Sequence, residues 1–180
     1  MKYQNKIDQL RSGSLTRAQI AILQQNAQHI LNQGDTDAQF VLDEIQYSKP
    51  ADTSILFMGF CPAADFSNRL DIDWKEKGIC RFDYLESEVQ LNRWNEVCVG
   101  DLIVLKKREK FGKTMKLYGF GRVLKICLDK ENIRYFEVSW DEQSAEIEVP
   151  LIGCNSTVDI KSMDLVEQEM PDEFWNWLGL

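Results

Sequence analysis

Three runs of apolar, β-branched and aromatic residues follow one another in the middle of the chain, separated by charged or polar turns. They occupy residues 102–105, 117–124 and 135–140. Residues of these types favour strands, and polar turns between consecutive strands are typical of an antiparallel meander. In the second run Gly119 and Gly121 alternate with aromatic residues, a pattern that favours bent strands. The pattern predicts a small, closed, mostly antiparallel β-barrel.

Weaker patterns predict the elements around this meander. The predicted strands are residues 54–61, 78–84, 147–149 and 157–160. Residues 63–77 are predicted to form a loop and a helix that carry Phe66 and Trp74, and the other predicted helices are 86–94 and 171–180. The first of these strands is apolar almost throughout, which indicates burial on both faces of a sheet. The last helix begins at a proline followed by acids, and its aromatic residues are predicted to cover the barrel or the N-terminal helices.

Residues 1–48 have apolar positions at helical spacing. Thr16 followed by Gln19 predicts a capping box at the start of one helix, and Phe40 is placed on the apolar face of a later one. The periodicity breaks at residues 49–53.

We therefore predict an α+β protein with three parts. They are an N-terminal helical extension at residues 1–48, a linker at 49–53, and a barrel with its C-terminal helix at 54–180.

The chain lacks the residues that common enzymes use. It has five cysteines, none in a Cys-x-x-Cys pair, and its single histidine, His29, lies in the N-terminal helical region. The sequence therefore predicts neither a zinc site nor a Ser-His-Asp or Cys-His arrangement on the barrel. Asp71, Asp73 and Lys75 leave a metal-assisted nuclease as a minor alternative. We expect a protein that is not an enzyme and that uses no cofactor.

The chain also lacks membrane and secretion signals. No stretch approaches the ~20 apolar residues of a membrane span, and the first residues have no apolar signal-peptide core. Cysteines scattered singly through apolar segments fit thiols that stay reduced. We expect a cytoplasmic protein that does not contact a membrane.

Charge is distributed unevenly. The net charge of −8 argues against indiscriminate nucleic-acid binding. Residues 106–116 depart from this balance, with six basic residues and one acidic residue. The basic residues are Lys106, Lys107, Arg108, Lys110, Lys113 and Lys116. They are candidate phosphate contacts. Two explanations need no ligand: the segment is a solvated turn, or its lysines keep an edge strand from pairing with another chain.

Four stretches share their order and spacing with a known superfamily. After the apolar first strand come Trp-Lys-Glu-Lys-Gly-Ile at 74–79, Val-Gly-Asp-Leu-Ile-Val-Leu at 99–105, Tyr-Gly-Phe-Gly-Arg-Val at 118–123 and Val-Ser-Trp at 138–140. This order resembles the PUA-like barrels, particularly the EVE-type modules, across about residues 54–160. Their relatives include the YTH readers of methylated adenine and the DNA-reading modules of modification-dependent restriction systems.

The resemblance implies a pocket that holds a flipped or modified base between aromatic rings. Trp74, Tyr84 and Trp94 match the positions of such rings. Stacking on an aromatic ring contributes ~1–3 kcal/mol per base, and polar contacts to the base edge select its identity. The candidates for those polar contacts are Asp83, Ser139 and Asp141.

The leading hypothesis is a non-catalytic reader of a modified or flipped base in DNA or RNA, as part of a defence or modification-sensing system. The N-terminal helices would join it to a protein partner or to a second copy. Two alternatives stay open: a protein-interaction module with the barrel as scaffold, and a pocket for a small nucleotide or nucleoside. Trp74, Trp94 and Trp140 are also explained as ordinary core residues.

Overall fold

The computed structural model describes residues 2–62, 65–82, 87–109, 112–141 and 145–180. Within these ranges the chain forms one seven-stranded mixed sheet with helices around it, which confirms the predicted α+β class. The strands are β1 (Ser54–Gly59), β2 (Ile79–Arg81), β3 (Leu102–Arg108), β4 (Thr114–Leu128), β5 (Arg134–Trp140), β6 (Ile147–Pro150) and β7 (Val158–Ser162). The helices are α1 (Gln4–Arg11), α2 (Arg17–Asn32), α3 (Ala38–Ile45), α4 (Asp71–Lys77), α5 (Glu88–Glu96), α6 (Met163–Glu169) and α7 (Asp172–Leu178).

The strand order is β2-β5-β4-β3-β1-β7, with β6 paired to the start of β4. Strands β3, β4 and β5 form the predicted antiparallel meander. Strand β1 lies between β3, to which it is parallel, and β7, to which it is antiparallel. This interior position explains its continuous apolar sequence. Among the described residues β2 and β7 end the strand order without pairing to each other, so the predicted closed barrel is not seen.

Side chains of β1 alternate between the two faces of the sheet. We name each face after a large ring buried on it. The Trp94 face includes Leu56, Met58, Trp74, Trp94 and Phe136, and the Phe174 face includes Ile55, Phe57, Val104, Val166 and Phe174. The Phe174 face is covered by α6 and α7, and α6 is a helix that the sequence pattern did not predict. The C-terminal helix therefore packs on the sheet, one of its two predicted places.

The first three helices bury their apolar residues in a cluster of their own. Its fully buried members are Ile7, Leu10, Ile20, Ala27, Val41 and Ile45. The predicted capping box is confirmed, because the Thr16 backbone N–H donates to the Gln19 side chain at 2.8 Å and the Gln19 backbone N–H donates back to Thr16. Phe40 was placed wrongly, since α3 turns Val41 inward and leaves Phe40 50% exposed. No helix in the described ranges is long and apolar enough to cross a bilayer.

A buried ion pair joins α2 to the turn before β3. Arg17 donates Nη1 to Asp101 Oδ2 at 2.8 Å and Nη2 to Asp101 Oδ1 at 2.6 Å. The same carboxylate accepts the backbone N–H groups of Ser54 and Cys98. Removing one partner of such a buried pair costs about 3–5 kcal/mol. The pair therefore holds the helical region against the starts of β1 and β3.

Gly121 of β4 is paired with Trp140 of β5 and packs directly against that strand. A Cβ atom at this position would come within 2.6 Å of Val138 Cγ1 and 2.8 Å of Trp140 Cε3. Both distances are shorter than side-chain carbons tolerate, so a larger residue would push the two strands apart. The glycine that the sequence pattern linked to strand bending is required here for close packing.

Candidate functional site

The Trp94 face contains a cavity of about 990 Å³ near the C-terminal end of β1. This volume lies at the upper end of the range of about 300–1,000 Å³ that is usual for ligand pockets. Its apolar lining includes Met58, Phe60, Leu70, Trp74 and Phe82, and its polar lining includes Arg81, Lys107, Arg108, Asn155, Ser156 and Thr157. An apolar wall with polar groups at defined places is the arrangement by which proteins orient a small planar ligand.

Trp74 is the predicted ring that borders this cavity. It lies on α4, which ends at Gly78 in the left-handed conformation, and its backbone carbonyl accepts the Trp140 indole N–H at 3.2 Å. Trp74 is only 3% exposed, and Phe60 and Phe82 are buried as well. Each ring therefore presents a limited part of its surface to the cavity, as a wall.

Trp94, by contrast, is a core residue. Its ring centroid lies 4.2 Å from that of Phe136 and 5.7 Å from that of Phe82, and its indole N–H donates to the Arg134 carbonyl at 3.0 Å. It is 1% exposed and does not line the cavity. This corrects its predicted place in the base pocket, because α5 turns the ring toward the sheet. Two further predicted pocket residues, Asp83 and Tyr84, lie outside the described residues.

Lys106 is also buried, although the sequence placed it among exposed cations. Its ammonium donates to the carbonyls of Cys154 at 2.6 Å and Ser156 at 2.5 Å, and to Asp159 at 3.2 Å. Burial lowers the pKa of Lys106, and the nearby Asp159 carboxylate opposes that effect. These three acceptors use its three N–H groups. The predicted phosphate contact is therefore replaced by a structural one, which anchors the loop before β7 to β3.

The same loop supplies the polar rim of the cavity. Asp159 accepts Arg93 Nη1 at 2.8 Å and the Ser156 backbone N–H at 2.8 Å, so the loop is held from two sides. Asn155 and Thr157 are exposed at the rim. The sequence pattern indicated neither residue, because nothing in an irregular segment shows that it will border the same cavity as α4.

The remaining cations of the basic segment occupy different environments. Lys107 is paired with Glu109 at 2.8 Å and Lys116 with Glu146 at 2.5 Å. Arg108 and Lys113 are exposed, and no ion pair of the described residues includes either of them. The sixth predicted cation, Lys110, lies outside the described residues.

Ser139 and Asp141 lie elsewhere. They line a second, smaller cavity of about 210 Å³ together with Phe120, Trp140 and Leu178. Phe120 and Leu178 pack with the core of the Phe174 face, so this cavity is separate from the one beside Trp74. The structure thus does not bring Ser139 and Asp141 together with the aromatic wall.

The acids near Trp74 are engaged with cations. Asp71 accepts Arg69 Nε at 2.9 Å and Nη2 at 2.6 Å, and Asp73 pairs with Lys77 at 2.6 Å. In the part of the chain that the structure describes, no three His, Cys, Asp or Glu side chains are grouped as metal ligands would be.

All five cysteines are free thiols. Cys61 lines the larger cavity, and burial raises the pKa of its thiol. Burial also raises the pKa of Cys154 to about 12. Both shifts favour the neutral thiol, which is a poor nucleophile.

No protein-family profile, no curated protein and no solved structure matches this chain.

Proposed function

We propose that this protein is a non-catalytic nucleic-acid reader that accepts a modified or extruded base in the cavity beside Trp74. The observation that carries the proposal is the cavity itself, which combines an aromatic and apolar wall with the polar rim at Asn155 and Thr157. A planar base has two apolar faces and a polar edge. A face can therefore pack on the apolar wall while the edge forms hydrogen bonds with the polar rim. A PUA-like, EVE-type relationship is part of the same proposal.

Two exposed cations supply the contacts that a polymer needs. Arg108 lines the cavity at the end of β3, and Lys113 lies just before β4 in the same hairpin. Extruding a base from a strand costs a few kcal/mol, and phosphate contacts nearby offset part of that cost. Because both side chains are exposed and outside the ion pairs of the described residues, a phosphate need not displace a carboxylate to reach them.

Charge reversal tests the phosphate contacts. We expect Arg108→Glu with Lys113→Glu to weaken binding of fluorescein-labelled oligonucleotides of all sequences and to reduce the salt dependence of the binding constant. The matched control is Lys6→Glu with Lys130→Glu, which changes the net charge equally at exposed positions on α1 and in the turn after β4. Fluorescence anisotropy across a salt series measures both. Equal effects from the two double variants would contradict a local phosphate site.

Filling the cavity tests the base site. Leu70 lines the cavity and is only partly buried, so Leu70→Trp should occupy space there while the protein stays folded. We expect this variant to lose oligonucleotide binding with an unchanged circular dichroism spectrum. The probes are DNA and RNA strands with and without methylated adenine or methylated cytosine. Undiminished binding by the folded variant would remove the cavity from the proposal, and binding of mononucleotides alone, without salt dependence, would favour a small-nucleotide pocket.

A further inference from the structure

We infer that an aromatic surface next to the cavity binds a second base, so that the ligand is a single strand with at least two unpaired bases. This surface, the Phe66 ledge, consists of Phe66, Arg69 and Tyr118. The inference rests on the proposed function and adds to it the class of nucleic acid.

The ledge is built around one fixed guanidinium. The Arg69 guanidinium carbon lies 4.8 Å from the ring centroid of Phe66 and 5.1 Å from that of Tyr118. Asp71, which is buried, holds the same guanidinium through two hydrogen bonds. The rings of Phe66 and Tyr118 are 5.6 Å apart, centroid to centroid. Arg69 is thus held in place, and Phe66 is supported from beneath.

Phe66 is the exposed member of this group. It is 40% exposed, whereas Tyr118 and the neighbouring Phe60 are buried. Contacts with the Arg69 guanidinium and with two further rings restrict rotation of the Phe66 side chain. Its apolar face therefore stays exposed to water. A base stacked on such a ring removes that surface from water, and every base has a face that can do so.

The ledge is continuous with the cavity. Phe60 lines the cavity, and its ring centroid lies 6.3 Å from that of Phe66. Lys107 also lines the cavity, and its ammonium lies 5.1 Å from the Phe66 ring centroid. A strand whose base enters the cavity therefore brings an adjoining nucleotide to Phe66.

Charge is balanced on the ledge, so stacking is its main contribution. Arg69 faces Asp71, Lys107 faces Glu109, and Lys116, whose ammonium lies 5.6 Å from the Tyr118 ring centroid, faces Glu146. Each cation already has a carboxylate partner. Binding at Phe66 should therefore depend little on salt, unlike binding at Arg108 and Lys113.

This arrangement selects a single strand. In a duplex, the base next to an extruded one stays stacked and paired within the helix, where an external ring cannot reach its face. In a single strand that base is free to leave its neighbours and to stack on Phe66.

The test compares Phe66→Ala with Phe40→Ala, which truncates another exposed phenylalanine, on α3. We expect Phe66→Ala to weaken binding of a short labelled single-stranded oligonucleotide by about 5- to 150-fold, which corresponds to one stacked base. The slope of affinity against salt should stay the same. Binding of a duplex and of a mononucleotide should be unchanged, and Phe66→Trp should restore the affinity for the single strand. Phe40→Ala should match the wild type.

The outcomes separate the two proposals. If wild-type protein binds the single strand and Phe66→Ala binds it equally well, the ledge is not part of the site, while the cavity proposal stands. If Phe66→Ala weakens single strand and mononucleotide alike, the ring supports the cavity and binds no second base. If wild-type protein binds none of the oligonucleotides, both proposals are overturned.

Discussion

The two faces of the sheet are covered in different ways. On the Phe174 face, α6 and α7 place Val166, Phe174 and Leu178 against the strands, and these side chains are buried. On the Trp94 face, the described residues leave a cavity of about 990 Å³ beside Trp74. The face that is filled with apolar side chains serves stability, and the face that is left partly open carries the candidate site.

The difference follows from what meets the strands at each place. The Phe174 face is closed by two consecutive C-terminal helices with buried apolar residues. Near the cavity, the space is bordered by a loop that is held through charges, with Lys106 and Arg93 both bound to Asp159. A polar network needs defined geometry to satisfy its donors and acceptors, and it cannot collapse into a void as alkyl side chains do. The polar contacts of Lys106 and Arg93 therefore fix the position of the segment that forms one border of the cavity.

The largest expected effect is on the filled face. Phe174→Ala should lower the free energy of unfolding by about 3–5 kcal/mol, because the buried ring contacts Phe57 and Trp175 and its removal leaves a void. Urea denaturation followed by tryptophan fluorescence measures the change. Phe40→Ala, at an exposed position, should stay within about 0.5 kcal/mol of the wild type. Equal midpoints for the two variants would show that α7 does not stabilise this face.

A smaller loss is expected from the polar anchor of the open face. Lys106→Met should lower the free energy of unfolding by about 2–3 kcal/mol, since a buried ammonium that donates to Asp159 and to two carbonyls is lost. The loss stays below that of an unpaired buried charge because Asp159 still accepts from Arg93 and from the Ser156 backbone N–H. Lys107→Met is the matched control, and loss of its surface pair with Glu109 should cost at most about 1 kcal/mol. The same denaturation assay applies. A Lys106 variant as stable as the Lys107 variant would mean that the loop before β7 does not depend on this ammonium.

The smallest effects come from adding a ring to each face. Val166→Phe should lower the free energy of unfolding by about 1–3 kcal/mol, because Val166 is fully buried among apolar side chains and does not line the smaller cavity. Leu70→Trp should change the free energy of unfolding by less than about 1 kcal/mol, because its side chain borders the cavity. Thermal unfolding of both variants checks the contrast. Similar destabilisation of the two would mean that the cavity does not accept a ring.

Most of the fold was predictable because the relevant signals are local. The apolar residues of β3, β4 and β5 and the polar turns between them indicated the meander, and the Thr16 side chain with Gln19 indicated the start of α2. The closed barrel was not predictable in this way, because closure depends on whether the edge strands β2 and β7 meet. Local strand patterns do not contain that information.

The site was predictable only in part, since it depends on which residues meet. Trp74 was placed beside a cavity, and the structure has one there. Trp94 and Lys106 are of residue types that can bind a base or a phosphate, but both are buried and hydrogen-bonded to partners that are remote in sequence, Arg134 and Asp159. The sequence indicated Phe66 only as one apolar residue of the predicted loop and helix at 63–77, whereas the structure shows that it is exposed and lies against Arg69.

The sequence by itself determined the elements of this protein, namely the apolar residues of the strands, the capping of α2 and the basic composition of one hairpin. These features are set by residues within a few positions of one another. Only the tertiary structure decided which aromatic rings are buried in the core and which are exposed. It also decided that Lys106 of the basic segment binds Asp159 and two backbone carbonyls inside the protein. Burial depends on contacts between distant segments, and a side chain carries no mark of the neighbours that will cover it.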